Sequence, residues 1–357
     1  MIVTHSTRLL LVAVFALGLP AVGQAQSRDI ETLFYMRNNE PAFESFRTNI
    51  DKISIVGPQV YSVEGDGVVW GEVDSRVLAL AREHGVKVMP LIHNPGFNQE
   101  TIHELLHDET ARRRSIAMMV ELAERHGFWG WQFDFENFHI TDRDAMTEYY
   151  RETAKALHAN GFTISIAVVP SLGTAGRSPF HRYMEANWRG TFDLKAMAEV
   201  SDFISYMTYA QHGGPTTPGP IAGLPWMRAT LDYAISQGVP VEKISLGIPT
   251  FSGYWFPTYA DGLARVQGHE AHWDRATGLI AQNDAESRLT WIEEQGVYYT
   301  WWENSGTFEW VFLENKRTFE TKLQLLDEYP GLRGISVWVL SAEDPKIWET
   351  LRPVSRR

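Results

Sequence analysis

The chain has 357 residues, 44% of them hydrophobic, enough for one large core or two ordinary ones. Its formal net charge of −12 argues against nucleic acid and anionic membrane surfaces as partners. With no cysteine there are no disulfides, so stability must come from the core.

The first element in chain order is a targeting segment. Arg8 precedes the apolar or small run Leu9 to Val22, and Gly23 and Ala25 suit a cleavage after Ala25. The run of 14 residues is too short to span a bilayer comfortably. Residues 1–25 are therefore expected to be a secretory signal and 26–357 an exported chain, secreted or periplasmic, with no stable membrane insertion. An uncleaved anchor is the alternative.

A strand–helix rhythm follows. "EVDSRVLALAREHG" aligns Val73, Val77, Leu78 and Ala81 on one helical face, stops at Gly85 and leads into "VKVMPLIHN". "RRRSIAMMVELAERHG" leads to "FWGWQFDFEN", "DRDAMTEYYRETAKALHANG" to "FTISIAVVP", and "LPWMRATLDYAISQG" to "KISLGIPTF". Glycines 85, 127, 161 and 238 close these helices, as the left-handed C-terminal cap requires. Such alternation implies right-handed crossovers and a parallel sheet.

Candidate strands are Leu33–Arg37, Ile53–Val63, Val86–Asn94, Phe128–Glu136, Phe162–Pro170, Asp202–Tyr209, Lys243–Phe251 and Gly334–Leu340. Eight strands are what an α/β (β/α)8 barrel requires. An open doubly wound sheet is the competitor, but no glycine-rich phosphate turn is present. Between strands seven and eight an aromatic-rich insertion is expected at approximately 253–330. Within it, "VYYTWWENSGTFEWVFLEN" reads as a hairpin around Asn304–Ser305–Gly306, followed by the helix "KRTFETKLQLLDEY".

The chemistry concentrates in "FWGWQFDFENFHITDRD", residues 128 to 144. Residues i and i+2 of a strand share a face, so Gln132, Asp134 and Glu136 form a polar column and Phe133 and Phe135 point the other way. In a barrel that column climbs the interior to the C-terminal rim, where barrel enzymes hold their chemistry. A neighbouring carboxylate and partial burial would raise the pKa of Glu136, as a general acid requires. A purely structural hydrogen-bond network is the other reading of the same spacing.

"WGWQFDFE" resembles the strand-four signature D-G-x-D-x-D-x-E of glycoside hydrolase family 18, the chitinase-like barrels. Gly130, Asp134 and Glu136 fit, while Trp129 and Gln132 stand where the signature has its first two aspartates. "WGWQFDFENF" with "DRDAM" is more similar to the spore-germination and cortex-lytic branch, which typically reads "DGVNIDFENV…DREAY". "SDFISYMTY", "PGPIAGLPWMRATLDYAISQGVPVEKISLGIPTFSGYW" and "GISVWVLSAEDPKIW" resemble the family's strands six to eight. The resemblance implies Glu136 as acid/base, Asp134 orienting the substrate's acetamido group, Tyr209 hydrogen-bonding it and Trp338 flooring the sugar site. It also implies a retaining, substrate-assisted hydrolysis of β-linked, N-acetylglucosamine-containing glycan, peptidoglycan or chitin, without cofactor or metal. Ala210 departs from the pattern, since the family usually has aspartate there. A hydrolase shifted to a different sugar, or a non-catalytic carbohydrate-binding barrel, are the alternatives.

Further subsite candidates are Gln132, beneath Glu136 and able to hydrogen-bond Asp134, His212 near a predicted strand top with a loop hydrogen bond as its alternative, and Tyr61, Tyr254 and Trp255, each with plain packing as its alternative. His93 after strand three is either a sugar contact or a loop hydrogen-bonder. A rival motif is "HELLH", residues 103 to 107, which matches the H-E-x-x-H of zinc proteases with Glu104 as base and a third ligand sought at Glu121 or Glu124. The same stretch reads "LLHDETAR" where the family helix reads like "LLND-EAR". Surface histidines on an amphipathic helix are the expectation.

Overall fold

The computed structural model describes residues 30–173, 178–214, 216–260 and 263–356. The expected signal, residues 1–25, lies outside them. Eight strands form the barrel: β1 (Glu31–Met36), β2 (Ile55–Val63), β3 in two pieces (Lys87–Val88 and Leu91–His93), β4 (Gly130–Phe133), β5 (Thr163–Val168), β6 (Phe203–Tyr206), β7 (Ile244–Pro249) and β8 (Gly334–Trp338). Each pairs in parallel with its neighbours, and β1 pairs with both β2 and β8, which closes the cylinder. The (β/α)8 expectation holds.

Local signals account for the intervening helices. Asn39 caps Glu40–Thr48 by accepting from Ala42 N, and Gly85 and Gly127 end Ser75–His84 and Glu109–His126 at φ of 66° and 69°. The stretch after β3 divides at Asp108, whose carboxylate accepts from Thr110 N at 2.7 Å and so starts a second helix after Gln99–His107. No helix among the described residues is long and apolar enough to cross a membrane.

The barrel interior is cross-linked by polar side chains. Tyr35 OH and Ser205 Oγ are 2.5 Å apart, Ser245 and Ser336 hydroxyls 2.6 Å, and Gln132 Nε2 donates to Ser165 Oγ at 2.8 Å. All six are buried, and each makes at least one of these bonds, while Gln132 Oε1 finds no partner among the described residues. Below this layer Trp129 stacks on Phe203 at 6.4 Å with the Lys87 ammonium 4.0 Å from its ring centroid. The indole thus caps the base of the barrel, away from the chemistry at the rim.

Between β7 and β8 a five-stranded antiparallel sheet rises, with strand order Leu263–Ala271, Ser252–Ala260, Thr307–Leu313, Val297–Asn304 and Thr290–Ile292. The hairpin around Ser305–Gly306 is present, both residues at positive φ (54° and 79°), as a two-residue turn demands. The helix Trp273–Gln282 covers the sheet, burying Ala276 and Ile280 against Tyr254, Trp302, Val311 and Leu313. The first hairpin is not legible in the sequence, because Pro257 and Gly268 interrupt the strand pattern. The helix expected after the second hairpin is split into Lys316–Leu323 and Leu325–Glu328.

Candidate active site

β4 ends its ladder at Phe133, three residues short of the expected Glu136, and the chain runs on into the mouth of the barrel. Asp134 N still donates to Ile92 O at 2.9 Å, so Asp134 keeps the inward parity of Gln132. The outward Phe133 and Phe135 are buried against Tyr149 and Tyr150 of the helix Arg143–Ala159, with ring centroids 5.0 to 6.2 Å apart. This packing anchors the base from which both carboxylates project.

A buried asparagine holds the next peptide in place. Asn94 Nδ2 donates to Glu136 O at 3.0 Å, and Glu136 N donates back to Asn94 Oδ1 at 3.3 Å. Asn137 follows at a φ of 54°, and its Nδ2 donates to Phe97 O at 2.9 Å. The turn that carries Glu136 is thus fastened to the loop after β3.

Asp134, Glu136, Tyr209 and Trp338 converge on one cavity of about 340 Å³ at the C-terminal mouth, with Tyr35, Arg37, Gln59 and Glu270 also in its wall. Phe97, Met207 and Phe251 make much of the remainder apolar. Burial, and then the adjacent Asp134, push Glu136 well above the ordinary carboxylate range. Burial also raises Asp134, opposed by the nearby His93 and by Gln59, whose Nε2 donates to Asp134 Oδ2 at 3.3 Å. Tyr209 is held firmly protonated by burial and by Tyr35, Asp134 and Glu136. Trp338 closes β8 with its ring 5.7 Å from Tyr35, and the Arg37 guanidinium lies 5.3 Å from the indole centroid. Arg37 is in turn paired with Glu270 at 3.1 Å, a residue supplied by the inserted sheet.

Such a cavity can give a proton from Glu136 to a leaving oxygen and take one back from water. A family comparison decides which chemistry this is: residues 65–343 match the family described as "Glycosyl hydrolases family 18". The chain belongs to that family. It is 26% identical over 337 residues to the "Cortical fragment-lytic enzyme" of Bacillus subtilis, across 91% of this chain and 74% of that enzyme. It is 21% identical to the same organism's "Uncharacterized glycosylase YvbX", across 92% of each. Among solved structures, a chitinase from Chromobacterium violaceum superposes with a TM-score of 0.79 at 23% identity, covering 92% of this chain and all of that one. The spore cortex-lytic enzyme SleL of Bacillus megaterium does so equally well, at 20% identity over 93% of this chain and 75% of SleL. The family 18 resemblance, including its cortex-lytic flavour, holds, and the chain is a glycoside hydrolase of chitinase-like architecture.

Other sequence candidates fall elsewhere in this family 18 barrel. Gln132 is buried one layer beneath the cavity and bonds Ser165 rather than Asp134. Tyr61 is turned outward: a register shift between Gln59 and Tyr61 reverses the alternation, so Gln59 reaches the cavity and Tyr61 packs on Trp131 and Phe128. His212 lies outside the cavity wall, its Nδ1 3.0 Å from Thr217 O and its ring over Gly219. Tyr254 belongs to the inserted sheet's core, stacked between Phe256 and Trp302 and hydrogen-bonded to Glu309. Trp255 is fully buried on the opposite face of that strand against Phe312. None of Gln132, Tyr61, His212, Tyr254 and Trp255 lines the cavity.

Tyr35, Arg37, Gln59, Asn94 and Glu270 escaped the sequence reading. Tyr35 and Arg37 share a face at the end of β1, a signal the i, i+2 rule contains. Nothing local points to Glu270. His93 faces its own loop, Nδ1 3.1 Å from Asn94 O and its ring 5.8 Å from Phe97. His103 and His107 are exposed on the amphipathic helix Gln99–His107, as expected, but their rings meet at one carboxylate. Together with Asp142, rather than Glu121 or Glu124, they form the group among the described residues able to hold a metal ion, and none of the three lines the cavity.

Proposed function

We propose that this family 18 hydrolase cleaves β-linked glycan containing N-acetylglucosamine, with peptidoglycan favoured over chitin, by a retaining, substrate-assisted route. The observation that carries this is the pairing, in one cavity wall beside Tyr35 and Trp338, of a buried Asp134 with Glu136, whose pKa burial and Asp134 push upward. Glu136 protonates the glycosidic oxygen while the substrate's own acetamide oxygen attacks C1, so no carboxylate nucleophile is needed, the recognised exception to the two-carboxylate scheme. Asp134 orients the acetamide and stabilises the positively charged oxazoline-like intermediate, and Tyr209 OH donates to the acetamide oxygen. Water, deprotonated by Glu136, then opens the intermediate with retention. Glu270, the other carboxylate in the wall, is ion-paired with Arg37.

The preference for peptidoglycan rests on the cortex-lytic relatives and on the signal-like first 25 residues, which would deliver the enzyme outside the cytoplasm. Ala210 favours one variation, a different sugar at the site, because the side chain there offers no polar contact.

The test is product analysis on purified peptidoglycan and on matched N-acetylglucosamine, glucosamine and glucose oligomers, for the wild type and Glu136→Gln. Cleavage restricted to acetylated glycan, inhibition by a thiazoline mimic of the oxazoline, and a loss of about 10²–10⁴-fold in the variant are expected. Efficient cleavage of plain glucose oligomers would overturn the substrate-assisted route.

A further inference from the structure

His103 and His107 lie one turn apart on the helix Gln99–His107 and aim their rings at a single carboxylate. His103 Nδ1 is 3.0 Å from both oxygens of Asp142, and His107 Nε2 is 2.9 Å from Oδ1. We propose that these three side chains form a binding site for a divalent transition-metal ion, with zinc as occupant, that staples the helix Gln99–His107 after β3 to the turn Ile140–Asp142 after β4.

The donor set has the chemistry of such a site. Two imidazoles and one carboxylate suit zinc, whereas calcium and magnesium need several oxygen ligands that this corner does not offer. Around a tetrahedral zinc with bonds of about 2.0–2.2 Å, donor atoms sit roughly 3.3 Å apart. The three donor atoms already lie within 4.8 Å of one another, so small outward movements of the rings admit the ion. Each neutral imidazole would present a lone pair, its proton carried on the other ring nitrogen.

The Asp142 side chain is only 5% exposed, and among the described residues its hydrogen bonds come from the two imidazoles alone. A carboxylate so buried is a strong anionic ligand, pre-placed without conformational cost. The rings are half-exposed, which leaves an entry path and a fourth position for water.

The arrangement is not proteolytic. Glu104, the base of the matching motif, lies over Gly65, where an added Cβ would stand 2.3 Å from its carboxylate oxygen. Its place in the fold makes the site a brace. The helix bearing both histidines starts two residues beyond Phe97, and Asp142 ends the turn that begins at Glu136. At the cavity end these segments are tied by Asn137 to Phe97 O and by Gln99 Nε2 to Asn137 Oδ1 at 3.2 Å. Zinc would fasten them at the other end.

The full chain, stripped by chelation, is titrated with zinc chloride by calorimetry and followed by thermal melting, for the wild type, His103→Ala, His107→Ala and Asp142→Asn. One zinc per chain is expected, with affinity on the order of 100-fold weaker in each histidine variant. The melting temperature should rise with zinc in the wild type and stay put in the variants. Both histidines are half-exposed, so their variants should fold, and cobalt(II) in place of zinc gives a tetrahedral absorption signature independent of stability. The Glu136→Gln variant should bind zinc as the wild type does, which separates this site from the catalytic reading. Absence of saturable zinc binding, binding unchanged in His107→Ala, or preference for magnesium or calcium would each overturn the proposal.

Discussion

At the scale of single residues, the two carboxylates on the cavity wall work against each other, and the signs of their shifts are testable. Asp134 helps hold the proton on Glu136. Replacing it in Asp134→Asn removes that repulsion, so Glu136 should lose its proton at lower pH. Besides a lower rate, the alkaline limb of the kcat/KM profile should then move toward acid; an unmoved limb would mean that another group titrates there. Stability carries the same sign. Glu136 binds its proton more tightly folded than unfolded, so ionising it costs stability. That cost is absent below the ordinary carboxylate range, about pH 4, and grows as pH rises toward the raised folded-state value. Glu136→Gln should therefore melt close to wild type near pH 4 and above it at pH 8. A gap that narrows with rising pH would contradict the assignment.

At the scale of elements, β4 is where packing leaves least room. Gly130 pairs with Thr163, and a Cβ on it would stand 2.0 Å from Thr163 O, a backbone atom that cannot swing aside. The strand therefore needs glycine for close approach rather than for an unusual φ. Gly130→Ala should destabilise by about 1–3 kcal/mol or more, read from the urea midpoint. Because Asp134 and Glu136 hang from the end of this strand, activity should fall below what the folded fraction accounts for. Unchanged stability would show that β4 and β5 can separate locally without loss.

At the scale of the whole molecule, the inserted sheet is tied into the barrel at its exit as well as at the cavity. Lys322 Nζ donates to Glu314 Oε2 at 2.6 Å with both side chains essentially removed from water. Glu314 N also donates to Ser252 Oγ at 2.9 Å, joining the start and end of the insertion. Breaking a buried pair leaves a lone charge, so Lys322→Met should cost about 3–5 kcal/mol, whereas Lys322→Met with Glu314→Gln should recover much of it. Denaturant melts of the single and double variants check this, and equal losses in both would mean that packing around Lys322 rather than its charge matters. Glu270 gives the same insertion a place in the cavity wall through Arg37. The segment that departs most from the barrel rhythm thus helps shape what the barrel can bind.

Much of this was written locally. Glycines that end helices, the period-2 column of Gln132 and Asp134, the turn residues Ser305 and Gly306 and the i, i+4 histidines act within a few residues, and chain-order reading captures such effects. The eight-strand rhythm follows from them, because alternating caps and apolar faces admit few ways to bury a sheet. Three-dimensional structure alone decided the rest. One extra residue in β2 sent Tyr61 outward and Gln59 inward, a choice made by pairing with β3 and invisible to alternation. Tyr254 and Trp255 follow β7 in sequence but enter a different sheet, so adjacency to a barrel strand did not bring them to its mouth. Glu270 meets Arg37 across 233 residues, and Asp142 meets His103 across 39. Contacts between elements depend on how those elements pack, and that is set by the whole core rather than by any local stretch of chain.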